Sequence, residues 1–271
     1  MKRGFRVFAL AGAVALALFA VPASAGDDHA ASYLALGDSV PFGYNPLVSD
    51  PTNPDHFVGY PELLGERMDL GTVNASCPGE TTMHFISTSG LDDSCGLFRS
   101  LAPLHVHYNG SQLEYAVAYL QSHPKTRLVT VMVSADDLNA FARLCGPDPA
   151  CVVQDIQTMS IPSLATIFGT IRSLYQGPLV VVTYYARNNS PAEIQHVLQG
   201  DQLIAGVAAQ FGARIADGFS AFRAAEGASF DPCAAGLLIR LPSGACDDHP
   251  SLRGQRVLAK AVQAQLDGER D

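Results

Sequence analysis

Charge is scarce in this chain, and positive charge scarcer still. Only 16% of the residues are charged, and 17 Lys and Arg face 26 Asp and Glu, for a net charge of −9. With no basic patch, nucleic acid and anionic membrane surfaces are poor partners. No glycine-rich loop opens a helix, which argues against a phosphate-cradling nucleotide site. No two cysteines stand at the close spacing of a zinc site, so no metal is expected. Apart from one run near the N-terminus, no stretch is long and apolar enough to span a bilayer. Internal repeats, low-complexity linkers and visible domain boundaries are missing as well.

What is present is apolar. Hydrophobic residues make up 48% of the 271, enough for a sizeable core and too much for wholesale disorder. Lys2, Arg3 and Arg6 precede an apolar run from Val7 to Val21, and Ala23-Ser24-Ala25 follows as a small-residue cleavage site. That order predicts a secretory signal over residues 1–25, with a single domain over 26–271. Removing the signal takes away three basic residues and no acidic one, so the remaining chain is more acidic still. The expected localisation is secreted: extracellular, periplasmic or cell-envelope. All six cysteines (Cys77, Cys95, Cys145, Cys151, Cys233 and Cys246) lie beyond the signal. An even count in an exported chain suggests disulfides, though six cysteines allow many connectivities. Sequential pairing is the simplest, because each pair then closes a short segment.

Strand and helix signals alternate along the chain. Short buried strands are expected at Tyr33–Leu36, Thr72–Ala75, Arg127–Val133, Leu179–Tyr184 and Arg214–Ala216. Helices are expected from Tyr60 to about Leu70, from Ser111 to Pro124, over residues 152–175 with a break near Pro162, and from Ser190 to about Phe211. Ser111 with Glu114 and Ser190 with Glu193 are capping boxes. His249-Pro250-Ser251 opens a terminal helix. Residues 83–110 have no clear period and read as a packing or lid-like excursion. The Cys145–Cys151 segment and most of residues 218–248 read as loop. The alternation predicts an α/β protein with a parallel sheet wrapped on both faces.

The strand at Tyr33–Leu36 stops at Gly37-Asp38-Ser39, which offers a hydroxyl at the carboxyl edge of the sheet, where open α/β sheets bind ligands. A serine hydroxyl is a weak nucleophile without a base. Two further motifs also end strands: Asn74-Ala75-Ser76-Cys77-Pro78-Gly79-Glu80-Thr81 and Ser134-Ala135-Asp136-Asp137-Leu138. A fourth, Asp247-Asp248-His249-Pro250 followed by Gly254, opens the last helix. In this order and spacing the four resemble the SGNH hydrolases, the GDSL esterase/lipase family, over nearly all of the chain past the signal. The resemblance implies a flavodoxin-like, three-layer α/β/α sandwich and hydrolysis of carboxylic esters, without cofactor or metal, on a small-molecule or lipid ester.

Ser39 is then the nucleophile, and His249 takes its proton and passes it to the leaving group. The family's usual acidic partner lies three places before the histidine, where this chain has Cys246. Asp247 is favoured for the role after a one-residue deletion. Asp248, or a backbone carbonyl holding the imidazole, remains open. For the oxyanion hole the resemblance implies the Ser39 and Gly79 backbone N–H groups and a third donor at Asp136. The family has asparagine at this third position, and an ionised aspartate has no proton to give. Three readings are open: a protonated Asp136 that donates, a slow esterase relying on two backbone donors, or a protein that binds without turning over. A working but weakened esterase is the leading expectation, with a non-catalytic binding protein and an acyl transferase as rivals. Phe57, Tyr60, Phe85 and Phe98 are candidates for an acyl groove, against the alternative that they pack. Oligomeric state is not legible.

Overall fold

The computed structural model describes residues 31–267; the expected signal over residues 1–25 lies outside them. In chain order the elements are β1 (Ser32–Gly37), α1 (Ser39–Phe42), α2 (Tyr60–Met68), β2 (Gly71–Asn74), α3 (Thr82–Ile86), α4 (Cys95–Leu101), α5 (Gln112–Ser122), β3 (Thr126–Met132) and α6 (Ala135–Cys145). There follow α7 (Pro149–Asp155), α8 (Ile161–Leu174), β4 (Leu179–Val182), α9 (Pro191–Ala209), β5 (Arg214–Ala216), α10 (Gly218–Glu226), β6 (Leu238–Arg240), β7 (Cys246–Pro250) and α11 (Leu252–Asp267).

Five strands form a parallel sheet in the order β2-β1-β3-β4-β5, and β6 and β7 make a separate antiparallel pair. Register is set by side-chain alternation. Leu34 and Leu36 of β1, with Val129 and Val131 of β3 and Leu179 and Val181 of β4, face a layer built by α3, α5, α8 and α9. Tyr33 and Ala35, with Leu128, Met132, Val180 and Val182, face the other layer, built by α2, α10 and α11. Both faces are therefore apolar, as a parallel sheet under helices on both sides requires. Each fully buried Leu, Val or Phe contributes roughly 1.5–3 kcal/mol. The Thr130 hydroxyl at the centre of β3 is paired: Tyr33 Oη and Tyr60 Oη lie 2.7 and 3.3 Å from Thr130 Oγ1.

Several segments depart from the sequence reading. Residues 83–110 hold α3 and α4, too short to show a period. The Cys145–Cys151 segment is a turn between two helices, since Asp148 caps α7 by accepting from the Ala150 N–H. The break near Pro162 is a π-helical turn over Ile156–Ser160, which ends just before the proline. Residues 218–248 contain α10, β6 and the start of β7, and His249 belongs to β7 rather than to the terminal helix, which starts at Leu252.

The strand order positions the site. β1 leads through α2 to β2 on one side, whereas β3 leads through α6–α8 to β4 on the other. The chain leaves adjacent β1 and β3 toward opposite layers, and a crevice opens between their carboxyl ends. Ser39 follows β1 and Asp136 follows β3.

Candidate active site

Gly37 ends β1 at φ 143°, and a Cβ there would fall 1.9 Å from the Met132 carbonyl oxygen, so glycine is the residue that lets the chain turn here. Asp38 then caps α1: its Oδ1 accepts from the Val40 N–H at 3.0 Å. Ser39 is the first residue of that short helix, which Gly43 closes in the left-handed region. The turn is packed from below by buried Val40, Pro41 and Phe42.

Against this turn stands the β7 strand. His249 Nε2 lies 2.9 Å from Ser39 Oγ, and Nδ1 lies 2.5 Å from Asp247 Oδ1. Asp247 Oδ1 also accepts the His249 backbone N–H at 3.0 Å. With the carboxylate at Nδ1, the proton belongs on Nδ1, and Nε2 is left to accept from the serine hydroxyl. The hydrogen bond from His249 holds the Asp247 carboxyl below its usual range. Asp248 points elsewhere. Its carboxylate accepts from Arg187 at 3.1 Å, and its carbonyl accepts from Tyr185 Oη at 2.9 Å. The Tyr44 ring lies 4.8 Å from the imidazole, centroid to centroid. Cys233–Cys246 ties the start of β7 to the preceding segment, and the other disulfides are Cys77–Cys95 and Cys145–Cys151.

The loop after β2 runs beside the serine turn, with the Cys77 N–H donating to the Gly37 carbonyl. Gly79 sits at φ 82°, and a Cβ would meet Ser94 Oγ at 2.0 Å. Its carbonyl accepts from the Ser94 N–H. Among the described residues neither the Ser39 nor the Gly79 N–H finds an acceptor. One buried side chain binds the two loops together. Gln112 Oε1 accepts from the Gly37 N–H at 2.5 Å, while Nε2 donates to the Gly37 carbonyl at 3.0 Å and to Glu80 Oε2 at 2.9 Å. Glu80 in turn takes His84 Nδ1 at 2.5 Å.

At the exit of β3, Ser134 is held at φ 132°, and α6 begins with Asp136 and Asp137 in its first turn. Asp137 is a structural acid: it accepts from Thr82 N–H and Oγ1, both at 2.7 Å, and from Ser160 Oγ at 2.5 Å. Tyr184 Oη donates to Asp38 and accepts from the Ala135 N–H, so it joins the serine turn to the start of α6. Burial pushes the Asp38 carboxyl up to about 6, against the opposing pull of its Tyr184 bond. Asp136 is different from all of these. Its Oδ2 is sealed from solvent and has no hydrogen-bond partner. Burial, then the charges of Asp38 and Asp93, push its carboxyl well above the usual range.

These groups border a cavity of about 470 Å³ that Ser39, Asp136 and His249 all line. Leu138, Ala142, Val152, Val197 and Ile204 form its apolar wall, on α6, α7 and α9. Gly79 does not line it, nor do the aromatic candidates for an acyl groove. Phe57, Tyr60 and Phe85 are core residues, and Phe98 packs edge-on against Phe42 at 5.2 Å. Sequence reading missed Tyr184, Tyr185, Arg187 and Gln112. None sits in one of the four site motifs, and each acts through a partner distant in the chain.

A family model described as GDSL-like lipase/acylhydrolase matches residues 35–257. No curated protein sequence matches the chain. Among solved structures, the extracellular lipase of Streptomyces rimosus is similar at 17% identity and a TM-score of 0.58, over 87% of this chain and all of that one. Phospholipase A1 of Streptomyces albidoflavus NA297 is 17% identical with a TM-score of 0.54, over 87% of this chain and 99% of its own. An acetylxylan esterase of Geobacillus stearothermophilus is 16% identical with a TM-score of 0.52, over 87% and 94%. At such identities these three establish the fold. The family model covers most of the sequence, from the serine turn to past the β7 histidine: the chain belongs to the GDSL-like lipase/acylhydrolase family and is a carboxylic ester hydrolase of that type.

Proposed function

We propose that the protein is a secreted serine esterase in which Ser39 is the nucleophile, His249 the general base and acid, and Asp247 the group that orients and charges the imidazole. The observation that carries this reading is the line of three side chains, Asp247 Oδ1 to His249 Nδ1 and His249 Nε2 to Ser39 Oγ, at 2.5 and 2.9 Å. Ser39 Oγ attacks the ester carbonyl carbon as its proton moves to His249 Nε2, and the carbonyl electron pair becomes the oxyanion. The intermediate collapses, the alcohol leaves with the proton from Nε2, and an acyl-Ser39 remains. Water, deprotonated by the same nitrogen, then releases the acid. Asp247 stays ionised throughout and stabilises the imidazolium that forms in each half. The Ser39 N–H is the backbone donor nearest the oxyanion, and the Gly79 N–H, in the loop beside the serine turn but off the cavity wall, is its companion in this reading.

The apolar wall of the cavity suits the acyl chain, from a small-molecule or lipid ester. Export is supported by three disulfides and by the signal-like residues 1–25. Residues 26–271 would form the secreted hydrolase. The decisive experiment is labelling with a fluorophosphonate followed by peptide mapping. The adduct is expected on Ser39, and at least a hundredfold slower in His249→Ala. A label elsewhere, or equal labelling in that variant, would refute the assignment. Turnover of esters of graded acyl length, with and without an alcohol acceptor, reads chain preference and separates hydrolysis from acyl transfer.

A further inference from the structure

Two acids of the cavity carry a sealed Oδ2 without a partner, Asp136 and Asp201; Asp201 keeps the Tyr184 N–H on its other oxygen at 2.9 Å, whereas among the described residues no donor reaches Asp136. Asp38 accepts from the Val40 N–H and Tyr184 Oη, Asp137 from Thr82 and Ser160, and Glu80 from Gln112 and His84. Asp93 pairs with Arg143. Asp136 has a sealed, unpartnered Oδ2 and lies on the wall of the cavity that holds Ser39 and His249. Among the described residues no Lys or Arg pairs with it: Arg187, at the same cavity, is taken by Glu193 and Asp248. A lone ionised carboxylate in such a place is costly, and the inexpensive state is the neutral acid. A neutral acid carries one O–H donor. In the esterase reading, on which this inference rests, the acceptor created in the cavity is the oxyanion beside Ser39.

We propose that Asp136 works as a neutral carboxylic acid whose O–H donates a hydrogen bond to the oxyanion formed at Ser39, making the hydrolase acid-active. The proton stays on Asp136 and serves as a fixed donor, while the transferred proton moves from Ser39 Oγ to His249 Nε2. The charged and titratable groups around the carboxyl are Asp38 after β1, Glu80 after β2, Asp93 before α4, Asp137 beside it on α6 and Tyr184 after β4, with Arg187 before α9, Glu193, His196 and Asp201 on α9, and Asp248 and His249 on β7 sharing the cavity wall. Those it feels most after burial are acids: Asp38, Asp93, Asp137 and Glu80. Each that ionises reinforces the proton on Asp136. Once pH rises far enough to remove that proton, the donor becomes a negative charge pointed at a developing negative charge. Losing one such donor costs roughly a hundred- to a thousandfold in turnover.

The test is the pH dependence of kcat on one short-chain ester, for the wild type, Asp136→Asn and Asp136→Ala. At acid pH the wild type and Asp136→Asn should agree within a few-fold, with Asp136→Ala about a hundredfold slower. As pH rises, the wild type should fall toward Asp136→Ala while Asp136→Asn, whose amide donates at every pH, stays level. A phosphonate adduct at Ser39 and a single cooperative unfolding transition confirm that each variant is folded. Carbon-13 NMR of labelled aspartate should show one carboxyl, absent from Asp136→Asn, that titrates where the wild-type rate falls. Wild-type and Asp136→Asn profiles of the same shape would overturn the proposal, as would an Asp136→Ala as fast as the wild type. A wild type that turns over no ester and takes no phosphonate would instead remove the esterase reading itself.

Discussion

Replacing Ser134 with glycine is expected to stabilise the protein. Ser134 sits at φ 132° and ψ −6° between β3 and α6, a conformation that L side chains rarely adopt. A non-glycine residue held in so sparse a region costs of the order of 1–3 kcal/mol. Glycine removes that strain but loses about 0.4–1 kcal/mol through the greater freedom of its unfolded chain. Little else is lost, because the Ser134 side chain makes no capping bond to the α6 N-terminus. The bond that matters there, Asp137 N–H to the Ser134 carbonyl at 3.3 Å, is backbone and survives the change. The net gain, taken at mid-range, is then roughly 1–2 kcal/mol, or a rise in Tm of about 2–8 °C for a domain of this size. Urea unfolding followed by circular dichroism measures it, with the m-value unchanged. A midpoint that falls, or one that stays within error, would refute the reasoning by showing that the strain is not present or that the hydroxymethyl group supplies packing of equal worth.

Other expectations concern the site and its supports. Asp247→Asn should leave Ser39 in place but lower kcat by about a hundred- to ten-thousandfold, since the imidazole loses the charge that orients it and stabilises its protonated form; steady-state kinetics on a short ester reads this. Gln112→Leu should cost about 3–5 kcal/mol in urea denaturation, because the Gly37 N–H and the Glu80 carboxylate lose partners in a buried place. Removing both cysteines of Cys233–Cys246 should cost about 3 kcal/mol by loop entropy and lower kcat more than KM, as β7 carries the imidazole. Stability should fall from mildly acid to mildly alkaline pH. Asp38 and Asp201, pushed up to about 6 and about 7 by burial, bind protons more tightly folded than unfolded, as do Glu80, Asp136 and Asp137. Their contribution is complete below the ordinary carboxylate range near pH 4 and is lost as pH rises through the folded values. Asp247 has the opposite sign and matters only below about pH 4. A urea midpoint that rises steadily from pH 5 to 8 would contradict this balance.

The parallel sheet was legible because its strands are short apolar runs stopped by polar turns; Arg214–Ala216 matches β5 residue for residue. Ser39 and His249 were legible because their neighbours, Gly37-Asp38 and Pro250 with Gly254, are constrained by the backbone. The choice between Asp247 and Asp248 was not, since it depends on which way two adjacent side chains leave an edge strand. That strand was hidden because β7 pairs with three-residue β6 and carries Cys, two Asp and a His in place of apolar alternation. Helix α6 was hidden by its start, where Ser134 gives no side-chain cap and two acids follow. The aromatic residues near Ser39 suggested an acyl groove, yet Phe42, Phe57 and Phe98 pack on one another, and the cavity opens across from them toward α6, α7 and α9.

The hydroxyl and the imidazole that meet at 2.9 Å are separated by 210 positions in the chain. A ribosome would therefore finish all five strands of the sheet before delivering the nitrogen that makes the alcohol reactive. A nascent or clipped chain ending ahead of β7 could be largely folded and still chemically silent. If Ser39 and His249 act as proposed, reactivity toward phosphonates reports that β7 has docked beside the serine turn, and it can be followed in time during refolding.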